Sequence, residues 1–124
     1  MSVMLVITLP LPPKELSPNT RVHWGRKARA TKKYRLVATV ATDLALREQG
    51  GGGDYGRAKV QVVLYNRTAH RRDGDNLIAT MKSAFDGIAD ALEVDDKEWS
   101  HKYPIQKTDK DDPRVEVHLD PKTK

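Results

Sequence analysis

The residues best placed to do chemistry are Arg71-Arg72-Asp73-Gly74-Asp75-Asn76-Leu77, together with a second acidic pair downstream, Asp95-Asp96. Two aspartates one residue apart at a helix start have a plain structural use. They accept hydrogen bonds from the free N–H groups of the first turn and sit at the positive end of the helix dipole. Capping does not account for the arginines directly beside the acids, nor for the acidic pair that closes the same helix. Mg²⁺ is a hard ion that takes carboxylate oxygens, and phosphodiester cleavage needs such an ion beside a bound phosphate. Acid next to base is therefore the composition of a metal-dependent nuclease site. On an ideal helix Lys82 and Asp86 would each lie within about 20° of Asp75 in direction, flanking the apolar stripe on one side. A lysine there can neutralise the charge that builds on a pentacovalent phosphorane or help position the attacking water. Taken by itself, Lys82 reads equally well as a solvated flank residue.

The elements that must hold these residues can be read from periodicity. Val3, Leu5, Ile7 and Leu9 alternate with Met4, Val6 and Thr8 until Pro10, Pro12 and Pro13 stop the run, which predicts a first strand. Ser17-Pro18-Asn19-Thr20 is a turn, and a basic segment then passes into Tyr34, Val37, Ala41 and Leu44 at helical spacing, with the helix ending near Gln49. Gly50 to Gly53, with Gly56 soon after, read as a flexible loop over 50–56. They are not a phosphate loop, because no Lys-Ser or Lys-Thr pair follows them. Lys59 to Tyr65 reads as a second strand. A second long helix starts near Asp75 or Asn76, with Ile78, Met81, Phe85, Ile88 and Leu92 forming an amphipathic stripe. Trp99 to Lys107 reads as a strand, Lys107 to Pro113 as a charged turn, and Val115, Val117 and Leu119 as the last strand. The expected fold is α+β, a single domain over 1–124 with a small mixed sheet of about four strands, two long helices and a closing hairpin.

Composition narrows the class of function. The chain has 124 residues, 38% hydrophobic and 31% charged, with no cysteine, so disulfides, thiolate metal sites and cysteine nucleophiles are excluded. The apolar stretch from Val3 to Leu11 is too short to span a bilayer and has no basic segment before it. The expectation is a cytoplasmic protein of a bacterial or phage-infected cell, with no membrane association. Net charge is +5, which favours polyanionic partners, and the two signs are segregated. Every charged residue from Arg21 to Arg35 is basic, whereas acids collect from Asp73 to Glu98. Arg26, Lys27, Arg29, Lys32 and Lys33, with Arg67, Arg71 and Arg72, form the candidate DNA-contacting set. His23 and Trp24 read as packing at a helix start, and His70, His101 and His118 as ordinary surface or strand residues lacking ligand spacing.

The string Arg72-Asp73-Gly74-Asp75-Asn76-Leu77, the lysine in the following helix, Asp86-Gly87 and the closing Asp95-Asp96 resemble the signature of the RusA family of Holliday junction resolvases. The amino-terminal half resembles the phage-type branch of that family, where a Leu-Pro-Pro strand precedes Ser17-Pro18-Asn19-Thr20-Arg21-Val22-His23-Trp24 and a basic helix. The likeness covers nearly the whole chain except the loop from Gly50 to Gly56. It implies a homodimeric endonuclease that uses Mg²⁺ or Mn²⁺ to cut symmetrically related strands of a four-way DNA junction, with no small-molecule cofactor. It further implies that Asp73, Asp75 and one of the Asp95-Asp96 pair, Asp96 by its place in the motif, gather the metal. The catalytic lysine of the family's best-known motif lies one helical turn earlier, at Ala79 here, and its role passes to Lys82. Two other readings use the same residues: a metal nuclease indifferent to branching, and a DNA-binding recombination accessory protein without activity.

Overall fold

Alternating apolar residues build one face of a sheet, and helices close over that face. In the computed structural model, which describes residues 2–123, β5 (Arg114–Lys122) and β2 (Asp54–Asn66) form its centre and β1 (Leu5–Leu9) one edge. Leu5, Ile7, Leu9, Val60, Val62, Leu64, Val115, Val117 and Leu119 all point inward and are buried. β5 runs antiparallel to both β1 and β2, with Val117 opposite Ile7 on one side and Val62 on the other. Two short strands, β3 (Ser100–His101) and β4 (Ile105–Thr108), pair parallel with the opposite edge of β2. The sheet is thus mixed and five-stranded, in an α+β fold.

Two sequence expectations change here. No terminal hairpin forms, because β4 and β5 lie on opposite sides of β2 and do not pair with each other. The glycine loop is shorter than expected, since β2 begins at Asp54 and takes in Gly56. The loop is also tied down: Gly50 ends the first helix with a positive φ and donates to the Leu46 carbonyl, while the Gly52 carbonyl accepts from Val3 N.

The long helix α1 (Trp24–Gln49) buries Tyr34, Ala38, Thr42 and Ala45. Its inner face is therefore rotated from the expected one. Val37 and Ala41 are only half-buried, and Leu44 is exposed along with Leu36 and Val40. The cause is a close helix crossing. At Gly87 an added Cβ would run into the Arg35 carbonyl and touch Ala38, so small residues must meet there. At its far end the Gln49 amide donates to Val6 O (2.8 Å) and accepts from Val6 N (2.9 Å), along the outer edge of β1.

The second long helix is broken. α2 (Gly74–Thr80) and α3 (Lys82–Leu92) meet at Met81, whose N–H is shared between the carbonyls of Leu77 and Ile78. The Thr80 hydroxyl bonds back to Asn76 O at 2.7 Å, a competition that bends helices. The apolar stripe survives the break, since Leu77, Met81, Ala84, Phe85 and Ile88 are all buried.

Candidate active site

The first acidic group is built by the backbone. Asp73 is the N-cap of α2, and its Oδ1 accepts from Asp75 N (2.9 Å) and Asn76 N (3.1 Å). One oxygen of Asp73 is thereby committed to capping, while the residue as a whole is exposed; Asp75 sits exposed in the first turn. The segment leading into this cap is held by an amide clamp. Gln106 of β4 accepts from Arg72 N at 2.8 Å and donates to Arg72 O at 2.7 Å, so its side chain takes the place of a neighbouring strand. Buried Asn66 lies behind it, donating to Lys107 O at 3.3 Å.

The second acidic group is built by an ammonium. Lys82 lies 2.7 Å from Asp86 Oδ1 and 3.8 Å from Asp96 Oδ2. The hydrogen bond to Asp86 raises the Lys82 pKa above the ordinary lysine value, keeping the side chain charged. Asp86 and Asp96 are half-buried, and Asp95 is exposed, with an oxygen on Lys97 N. His101 also belongs here. It feels the charges of both Asp96 and Lys82, and its ring centroid is 4.8 Å from that of Phe85. Burial lowers the His101 pKa, so it is neutral at pH 7. The sequence reading treated His101 as an ordinary strand residue and assigned no role to Gln106. No spacing signal marks either one, because only tertiary pairing of β3 and β4 with β2 brings them here.

One stretch of chain runs past both groups. His101 lies within electrostatic reach of Asp96 and Lys82; the Tyr103 ring lies where a Cβ on Gly74, between Asp73 and Asp75, would stand; and Gln106 grips Arg72. Two residues of chain span at most about 7 Å and three about 11 Å. The two acidic groups therefore flank a common edge of the molecule. Among the described residues, however, no three His, Asp or Glu side chains converge in a geometry that could hold one metal ion. Asp73, Asp75 and Asp96 do not form a ready-made triad; Asp96 keeps company with Lys82 and Asp86 instead. The donor set nonetheless suits a hard divalent cation, being carboxylate oxygen throughout, with Asp73 retaining its second oxygen beyond the cap.

The expected DNA-contacting cations fall into two sets, all exposed. Arg26, Arg29 and Lys33 line a groove between α1 and the loop after β1, floored by Pro10, Leu11 and Tyr34. Lys27 and Lys32 lie on the same helix, and Arg26 also reaches Glu15 at 3.6 Å. The other flank of that loop lines a second cleft with Arg72, Asp73 and Asn76, so basic groove and acidic cap share one wall. Arg71 leans on Thr108 Oγ1 (3.1 Å), and Arg67 follows the end of β2. Buried Tyr34 donates to Pro10 O at 2.7 Å, and burial pushes its pKa far up, so it is a neutral donor. Trp24 is not packed inside: it is 78% exposed, stacked on His23, whose Nδ1 caps α1 by accepting from Gly25 N. His118 pairs with Glu116 on β5 (3.0 Å), while the His70 N–H donates to Thr68 Oγ1 in the loop that leads into Arg71.

No protein-family model matches the chain. An uncharacterized protein of Xylella fastidiosa is 41% identical over 100 residues, an alignment covering 77% of this chain. This chain spans 63% of that protein's length. Among the described residues no helix is long and apolar enough to cross a membrane.

Proposed function

We propose that this protein is a divalent-metal-dependent DNA endonuclease of the RusA type, cutting four-way junctions as a homodimer. The observation that carries the reading is the shared edge. The His101–Gln106 stretch packs on Gly74 between Asp73 and Asp75 at the start of α2 and runs within electrostatic reach of the Lys82–Asp96 pair, next to a basic groove. Asp73, Asp75 and Asp96 would hold Mg²⁺ or Mn²⁺, which supplies a water of lowered pKa and polarises the phosphate. The chain's own contributions follow from its geometry. Cations of α1 and of the Arg67–Arg72 segment seat the DNA backbone, the Gln106 clamp fixes the peptide ahead of Asp73, and Lys82 offers positive charge where the phosphoryl oxygens gain negative charge. A two-fold junction is matched by a two-fold dimer.

The test is a synthetic immobile four-way junction incubated with Mg²⁺, alongside three-way and linear DNA. The proposal expects paired symmetric cuts in the four-way substrate, abolished by Asp75→Asn. Equal cutting of linear DNA would make the protein a nuclease blind to branching. A shifted but intact junction would make it a binding protein of recombination, and both outcomes overturn the reading as stated.

A further inference from the structure

We infer that Tyr103 is a stacking platform for an unstacked base of branched DNA, an inference that rests on the DNA-binding half of the function proposed above. The ring is seated on one side only. Its outer edge fills the space where Gly74 would carry a side chain, so Gly74 is buried while Tyr103 remains 72% exposed. The seat is firm, because Gln61 Nε2 donates to the Tyr103 carbonyl at 2.8 Å and Lys102 N donates to Val60 O at 2.9 Å. An aromatic ring anchored at its base and bare above adds little to the core and leaves apolar area in water unless something covers it. The surroundings select that cover by charge. Lys102, next to the ring in the chain, and Arg72, two residues before the Gly74 on which the ring sits, are both exposed and suited to phosphates flanking a stacked base. Along the interior of a duplex every base is covered on both faces by its neighbours, whereas bases at a branch point have lost a stacking neighbour. Tyr103 is thus a specificity determinant: it favours branched over linear DNA, and it sits directly above the turn that holds Asp73 and Asp75.

The experiment measures binding of the full chain to a four-way junction, to single-stranded DNA and to a blunt linear duplex, without divalent metal so that nothing is cut. Tyr103→Ala is expected to lose about tenfold or more in affinity for junction and single strand and less than twofold for the duplex. Tyr103→Phe keeps the ring and is expected to match the original protein on all three, which also guards against a folding defect in the alanine variant. An unchanged junction affinity in Tyr103→Ala, or an equal loss on all three DNAs, overturns the inference. So does a loss in Tyr103→Phe equal to that in Tyr103→Ala. The outcome is separable from the nuclease reading. A protein that never cuts can still show the Tyr103 pattern, and one that cuts with Mg²⁺ can still bind junctions unaltered in Tyr103→Ala.

Discussion

The amino end of α2 and the Lys82–Asp86–Asp96 cluster present aspartates by opposite means. At α2 the negative charge of Asp73 is met by two backbone N–H groups, which neither titrate nor move without unfolding the turn. At α3 the charge is met by the end of a long, largely exposed lysine side chain. The first arrangement is set once the helix forms; the second can open, freeing Asp86 and Asp96 when another cation arrives. Under the proposed function, one fixed and one adjustable half would suit an ion that enters together with a phosphate.

Substitutions can pull the two halves apart. The largest effect is expected from Asp75→Asn, which should lower junction cleavage by at least roughly a hundredfold while junction affinity changes less than threefold, as read by cleavage gels and mobility shifts. Next comes Asp73, where cap and charge can be separated. Asp73→Ala should lose about 1 kcal/mol in urea denaturation together with cleavage, whereas Asp73→Asn, still a good cap, should keep stability and lose only cleavage. If Asp73→Asn cuts normally, Asp73 is a cap and nothing more. On the adjustable side, Lys82→Met should impair cleavage yet shift stability by less than about 1 kcal/mol, because the pair is exposed. The Lys82 pKa is raised in the folded protein, so its contribution is complete below the ordinary lysine value and fades as pH rises through the raised one. The smallest effect belongs to Arg35, which meets Asp90 at 2.7 Å and holds its carboxyl below the usual range. The Asp90 pKa is lowered by folding, so this contribution is present above the ordinary aspartate value and is lost as pH falls through the depressed one. Arg35→Met should lower the melting temperature slightly at neutral pH, where the pair is charged, and leave melts recorded on the acid side of that range nearly unchanged.

The strongly periodic elements were legible in the chain alone. Alternation marked β1 and β5, and the Ile78–Leu92 stripe marked the helical region, because burial on one face leaves a period in the residues themselves. The break at Met81 was not legible, since no proline or glycine stands there and the Thr80 hydroxyl that bonds back to Asn76 O has counterparts at Thr31, Thr39 and Thr42 in unbroken α1. The inner face of α1 was misplaced because its contacts are alanines and a threonine chosen for closeness to Gly87, while larger apolar side chains point outward. Of the candidate site, Asp73, Asp75, Lys82 and Asp96 stood out as an acidic and basic pattern. His101, Tyr103 and Gln106 carry no pattern of their own, as β3 and β4 are too short to show alternation and gain meaning only by lying along β2.

The amide of Gln49 has a consequence for how copies of this molecule can meet. By occupying both the N–H and the C=O of Val6, it does the work of a missing sixth strand at the centre of the β1 margin. Another chain cannot lengthen the sheet on that side without first evicting this helix-borne plug. Any ribbon-to-ribbon joining is thereby diverted to the β3–β4 margin beside Tyr103, so a dimer of the proposed kind that keeps Tyr103 bare would join through helices or the open sheet face.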